Sequence, residues 1–285
     1  MNNLLSVLGV KDFENLLSAY NAAGIHLEYL IDGGAGSGGT AKVMLRSMPS
    51  AKQIWAFEPF EGNHRFFKDA DSRVSLARYA MYKESTQMKF EVSTVVQTDS
   101  TWGARGLAGY SSAGRLAEKP RENIQTYDVE CVRTDVFVGA GQRIDFVKLD
   151  LQGGEHDAIL GMTDFLDDVQ FMWVEFSGQP GLVKLLDDLG FVLFDTEYLF
   201  HDHPDDEAHE NFIVTEDKIA LSTGTFAWKG VPKRTWADYD QTIQGFKKTL
   251  RMVQTDLVCV NRRFLGNFCK AMPHLEASVK RPTEA

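Results

Sequence analysis

The stretch Tyr29-Leu30-Ile31-Asp32-Gly33-Gly34-Ala35-Gly36-Ser37-Gly38-Gly39-Thr40 decides the fold of this chain. A short apolar run ends in an acid and passes straight into a glycine-rich turn, the junction at which a parallel strand hands over to a helix. Glycines belong there because a Cβ would block positive φ angles and close approach of a ligand, while the next helix offers free N–H groups and the positive end of its dipole. Working outward, short apolar runs recur at 54–57, 74–77, 144–149, 171–176 and 191–194, separated by polar, helix-compatible segments, and Leu257 to Val260 supplies a last strand. Short continuous apolar strands are what a parallel sheet covered on both faces requires. The pattern predicts an α/β fold around a doubly wound, mostly parallel, seven-stranded sheet of Rossmann-like kind.

Upstream of that core, Leu4, Leu5, Val7, Leu8, Phe13, Leu16, Leu17 and Tyr20 fall at helical spacing before Gly24. They predict an N-terminal helical extension over residues 1–27, made of one or two helices. The main domain is expected over 28–265, with an insertion at 200–254 before the last strand and a polar C-terminal tail at 266–285. Residues 97–123, rich in Gly, Ser, Ala and Arg, read as a long surface loop able to close as a lid, with Trp102, Arg105, Tyr110, Ser111 and Arg115 on it. Within the insertion, the run from His201 to Glu210 holds metal-binding residue types, but its like charge and its Pro suit a solvated loop. The aromatic and basic segment from Phe226 to Trp236 could cover an acceptor. Trp236, Tyr239, Ile243, Phe246, Leu250 and Val253 share one helical face.

With 285 residues and 44% hydrophobic content, the chain can bury one large core. A formal charge of −10 disfavours a nucleic-acid partner, since no Lys/Arg cluster compensates it. No apolar run approaches the roughly 20 residues of a membrane span, and the first residues lack a signal-peptide pattern, so a cytoplasmic location is expected. Cys131, Cys259 and Cys269 lie far apart without CxxC spacing, which indicates neither a disulfide framework nor a zinc site. A homo-oligomer is compatible with this sequence and not required by it.

Gly34, Gly36 and Gly39 satisfy GxGxxG literally, the spacing of a dinucleotide site, which keeps an NAD(P)-dependent oxidoreductase as an alternative. Two acids favour S-adenosylmethionine instead. Asp32, at the end of the first strand, suits the cationic amino group of a methionine moiety and would sit badly beside a pyrophosphate. Glu58, at the end of Ile54-Trp55-Ala56-Phe57-Glu58, is placed to accept both hydroxyls of a ribose. Asp32 also has a plain helix-capping reading, and Glu58 that of a solvated turn.

Around these acids the chain resembles the FkbM-type methyltransferases, a branch of the class I S-adenosylmethionine-dependent enzymes. The Asp32-to-Gly38 turn is similar to the family's DxGAxxG loop and carries over Asp32, Gly34, Ala35 and Gly38. Phe57-Glu58-Pro59-Phe60-Glu61-Gly62-Asn63 resembles FEPxxxN, matching Glu58, Pro59 and Asn63, and Ala80 falls where the family has a small residue near the adenine. The segment from Phe146 to Gly161 looks like KxDxxGxExxxLxG, with Lys148, Asp150, Gly153, Glu155 and Gly161 in place and Leu160 one residue past the leucine position. The resemblance runs from about Tyr29 to Glu175. It implies cofactor contacts from Asp32, Gly34, Ala35, Gly36, Gly38, Glu58, Pro59, Asn63 and Ala80. It departs from the family in the extra glycines of the first loop and in the segment between Phe200 and Asp256.

Methyl transfer is an in-line displacement, so the enzyme must align acceptor, methyl and sulfur and take away the acceptor proton. The acceptor site of a doubly wound sheet lies beyond the carboxyl ends of its strands, which makes Asp150 the first candidate to touch the reacting hydroxyl. Lys148, two residues earlier, shares its face and could pair with Asp150 or Glu175, or serve as a structural ion-pair partner. Glu155 is a further catalytic candidate. His156 has a ring suited to a general base near neutral pH, against which stands its reading as a surface residue. Asp150 and Glu175 could together hold Mg²⁺, although two carboxylates do not specify a metal. The expected activity is O-methylation of a sugar, a glycan or a small natural product; the remaining alternative is a non-catalytic cofactor-binding module in a biosynthetic complex.

Overall fold

The computed structural model describes residues 2–92, 114–118, 125–176, 179, 181–196, 213–214, 225–226, 234–235 and 255–273. Helix α1 (Asn2–Ala22) leads into β1 (Tyr29–Gly33), α2 (Gly39–Ser47), β2 (Gln53–Phe57), α3 (Glu61–His64) and β3 (Val74–Ala77). Four strands then follow: β4 (Ala80–Met81), β5 (Thr86–Val92), β6 (Gly114–Ala117) and β7 (Gln125–Val132). After α4 (Thr134–Val138) the chain forms β8 (Phe146–Leu149), α5 (Glu155–Leu160), β9 (Phe171–Phe176), α6 (Leu182–Asp188) and β10 (Phe191–Asp195). Short strands β11 (Ile213–Val214), β12 (Thr225–Phe226) and β13 (Arg234–Thr235) precede β14 (Thr255–Asn261) and α7 (Leu265–Ala271).

The central sheet runs β11-β10-β14-β9-β8-β1-β2-β3. Its pairs from β9 to β3 are parallel, whereas β14 lies antiparallel between β9 and β10. This is the doubly wound, mostly parallel sheet expected from the sequence, its seven strands joined at one edge by the two-residue β11. Strand alternation sorts the side chains into two layers. Ile31, Val147, Met172 and Val174 pack with Ile159 of α5 and Leu182 and Leu186 of α6. Leu30, Phe146, Phe171 and Val258 pack on the other face with α1, α2 and α7. The α1 layer is aromatic at its centre: Phe13 meets Trp173 edge-on at 5.3 Å between centroids, and Tyr20 lies 4.5 Å from Phe171. Such pairs add about 0.5–1.5 kcal/mol each beyond their burial. The N-terminal extension is thus a single helix forming part of the covering layer.

Two expectations change with the structure. Residues 265–271, assigned in part to the tail, form α7 and bury Phe268 completely against Phe194, 4.9 Å away. The larger change is a second sheet, ordered β4-β7-β5-β6, inserted between β3 and β8. It has its own apolar core of Phe60, Tyr82, Phe90, Val92, Val129 and Cys131. Part of the expected 97–123 loop, residues 114–117, is the edge strand of this sheet. The two sheets approach closely at Gly161, where a Cβ would stand 1.9 Å from the Tyr82 carbonyl oxygen. Trp102, Arg105, Tyr110 and Ser111 lie outside the described residues, as do the 201–210 run and the helix expected from Trp236 to Val253. No helix among the described residues is long and apolar enough to cross a membrane.

Candidate active site

Parallel register brings the candidate acids to one end of the sheet. Asp32 of β1 stands opposite Lys148 of β8, and Glu175 of β9 stands opposite Asp256 of β14. Asp145 fixes the β1–β8 alignment from below, accepting the Glu28 and Tyr29 amides at 2.7 and 3.0 Å. Beyond these strand ends lies a cleft lined by Gly34, Gly36, Glu58, Pro59, Asn63, Ala80, Asp150, Gln152 and Gly154 among others. The second sheet closes its side, since Phe90 of β5 and Gly114 and Leu116 of β6 line it too, beside Phe60, Tyr79 and Met81.

The glycine turn shapes the floor. Gly34 has φ +73°, and a Cβ there would meet the Asp150 carbonyl oxygen at 2.0 Å, so β1 and the turn after β8 can touch only through a glycine. The Glu58 carboxylate is fixed on the cleft wall by the Gly36 amide on Oε2 and the Phe60 amide on Oε1, each at 2.8 Å. Burial nonetheless pushes its pKa to about 7, with those amides and the Asn63 side chain drawing it back down. Asp32 is completely buried behind the lining residues, and neither carboxylate oxygen has a hydrogen-bond partner. Burial raises it to about 6; nearby Lys148 favours its charge, Asp150 opposes it, and the Ala41 amide helps without reaching hydrogen-bond geometry.

Lys148 is the hub between the two strand ends. Its ammonium lies 3.7 Å from Asp32 Oδ1 and 3.4 Å from Asp150 Oδ2, and donates to the Gly33 and Gly34 carbonyls at 3.3 and 3.4 Å. Burial alone would favour the neutral amine, but Asp150, Asp32 and Glu175 outweigh it and hold Lys148 above the ordinary lysine value. Burial likewise opposes ionised Asp150, yet Lys148 and Gln152 prevail and lower its pKa. Glu175 goes the other way: burial and the neighbouring Asp150, Glu155 and Asp256 raise it well above a usual carboxyl.

The start of α5 carries two further catalytic candidates, Glu155 and His156. Glu155 is fully buried and does not line the cleft; its carboxylate accepts the Leu151 amide at 2.7 Å, the Gly153 amide at 3.1 Å and the Gln179 side-chain amide at 2.6 Å. It holds the turn closed from inside. His156, also off the cleft, keeps a half-exposed ring with Nδ1 3.7 Å from Asp157. Between Asp150 and Glu175 stands Gln152, whose amide donates to Asp150 Oδ1 at 2.9 Å and to Glu175 Oε1 and Oε2 at 2.9 and 3.1 Å. Its φ is +56°, a left-handed backbone that costs a non-glycine residue about 1–2 kcal/mol. Among the described residues no group of three or more His, Cys, Asp or Glu is arranged to hold a metal ion. Ala35 and Gly38 lie in the turn without lining the cleft.

Sequence reasoning missed Gln152, Phe90 and Leu116. For Phe90 a signal existed: Met88, Phe90 and Val92 alternate, as do Tyr127, Val129 and Cys131, which is strand periodicity. Nothing in the sequence signals a left-handed glutamine.

The methyltransferase FkbM domain matches residues 32–205. No curated protein matches the chain. Among solved structures, the chain is similar to methyltransferase FkbM from Methylobacillus flagellatus, with 14% identity and a TM-score of 0.40 over 63% of this chain and 41% of that one. It is also similar to precorrin-6y C5,15-methyltransferase from Geobacter metallireducens, with 14% identity and a TM-score of 0.33 over 62% of this chain and 71% of that one. The chain spans about two fifths of the length of the Methylobacillus protein.

Proposed function

The chain belongs to the FkbM methyltransferase family, and from that premise we propose that it transfers a methyl group from S-adenosylmethionine to a hydroxyl oxygen of a sugar, a glycan or another small polar acceptor. The observation that carries the reading is the pair of buried acids around the glycine turn: Glu58 pinned on the cleft wall, and Asp32 behind it, ion-paired with Lys148 at 3.7 Å but with no hydrogen bond on either oxygen. A cationic cofactor answers both needs, whereas a diphosphate would meet two carboxylates. When bound, S-adenosylmethionine supplies a methyl group on a sulfonium, a strong electrophile.

Glu58 would hold the ribose hydroxyls, its amide contacts leaving lone pairs for the cleft, and Asp32 would favour the cofactor's amino end. Ala80, Phe57 and Met81 offer an apolar surface for the base. Asp150, its side chain 43% exposed, would accept a hydrogen bond from the acceptor hydroxyl and take its proton on the carboxylate. Because Lys148 and Gln152 lower its pKa, Asp150 is a weak base. It suits a transfer in which the hydroxyl acidifies as the new C–O bond forms, so alignment contributes more than early deprotonation.

Calorimetric titration tests the cofactor assignment: S-adenosylhomocysteine should bind and NAD(P)H should not, and the opposite result would reverse it. Glu58→Gln should weaken S-adenosylhomocysteine roughly tenfold, since a hydrogen bond to a charged acceptor is lost. Incubation with labelled S-adenosylmethionine and a panel of sugars and natural-product alcohols then separates an enzyme from a silent binding module, which would bind and give no product.

A pH dependence follows from the two raised acids. In the free protein both hold protons above their unfolded pKa values, so ionising them costs the fold stability as pH rises from about 4 towards 7. A bound cation favours the ionised forms. S-adenosylmethionine affinity should therefore climb as pH rises through about 6 to 7 and level off above, with protons released on binding below that range. Calorimetry in two buffers of different ionisation enthalpy measures this, and Asp32→Asn should remove the lower part of the rise.

A further inference from the structure

Gln152 is the only non-glycine residue among those described that adopts a positive φ. Gly153 and Gly154 follow it, so a glycine at this place would make the same turn without strain. What the strained backbone achieves is the position of the amide. Nε2 reaches one oxygen of Asp150 and both oxygens of Glu175, while the backbone N–H of the same residue donates to Glu175 Oε2 at 3.2 Å. Two carboxyl groups at neighbouring strand ends are thereby tied together by one neutral donor.

The effect on Asp150 is directional. Lys148 holds Oδ2 from the sheet side and Gln152 holds Oδ1 from the turn side, and the carboxylate that results still opens on the cleft. We infer that Gln152 is a positioning residue: by clamping Asp150 to Glu175 it fixes the direction in which the Asp150 carboxylate faces the site of methyl transfer. This rests on the assignment of the cleft to S-adenosylmethionine, and it adds a residue that the family motif leaves unspecified. A carboxylate aimed at the transferring methyl also forms a receptor for positive charge at that spot, which gives a readout independent of the unknown acceptor.

The test compares two ligands by calorimetry: S-adenosylhomocysteine, and sinefungin, which carries a primary ammonium where the methyl would be. The wild type should prefer sinefungin by roughly tenfold or more, and Asp150→Asn should lose that preference. Gln152→Gly, which relieves the backbone, should keep the wild-type melting temperature within a few degrees or exceed it. Its sinefungin preference should nevertheless fall to within about threefold of unity. Gln152→Glu should lower the preference as well, since a carboxylate in place of the donating amide turns Asp150 away. If Gln152→Gly retains the full preference, or if the wild type binds both ligands equally, the positioning role is overturned. If neither ligand binds the wild type, the cofactor assignment itself fails, a distinguishable outcome that takes the inference down with it.

Discussion

Replacing Gly34 with alanine is expected to destabilise the fold by on the order of 4 kcal/mol and to remove measurable S-adenosylhomocysteine binding. The left-handed φ of +73° alone costs alanine about 1–2 kcal/mol. The rest arises because the new methyl would stand 2.0 Å from a backbone carbonyl, that of Asp150, which cannot yield as a side chain would. Relief requires parting β1 from the turn after β8, where the Asp150 amide donates to the Gly33 carbonyl at 3.2 Å. Gly36→Ala is the control: its Cβ would meet nothing within 4 Å, so only the backbone strain of φ +54° is felt. Thermal melts and calorimetry on the pair decide the matter, and equal losses at the two positions would refute the steric account.

That glycine was already singled out by its place after an apolar strand, which illustrates what the sequence makes legible. Strands buried on both faces leave continuous apolar runs, and strand-end acids beside a glycine turn leave a local motif, so the main sheet and the places of Asp32, Glu58 and Asp150 at its strand ends were legible in the sequence. The second sheet was harder, because Gly114 to Ala117 pairs with β5 across a stretch rich in Gly, Ser and Arg that carries loop composition. Pairing over such a distance is a tertiary property that local pattern does not contain. The roles of Glu155 and Gln152 were illegible for another reason. An acid in a family motif looks catalytic whether it faces the cleft or, like Glu155, is saturated by the amides of its own turn, and only geometry distinguishes the two.

The second large effect is expected at Lys148. Lys148→Met should cost about 3–5 kcal/mol, because it strips Asp32 and Asp150 of their shared counter-charge and forces the buried Asp32 to take up a proton, and the melting temperature should fall by roughly 10 °C. Loss of a surface ion pair would cost under about 1 kcal/mol, so the size of the change reports burial. Asp32→Asn combined with Lys148→Met should recover part of the stability lost by Lys148→Met alone, since only the partly exposed Asp150 then lacks its cation. Additive losses in that double-mutant cycle would show that Asp32 and Lys148 are not coupled.

A single ammonium serving two acids has a thermodynamic corollary. Asp32 and Asp150 repel each other across the ammonium they share, at 3.7 and 3.4 Å, so whatever ionises one raises the proton affinity of the other, and the reverse holds with equal magnitude. On the proposed assignment, methyl donor and acceptor would occupy opposite arms of one electrostatic balance, so that loading either arm resets the proton affinity of the other.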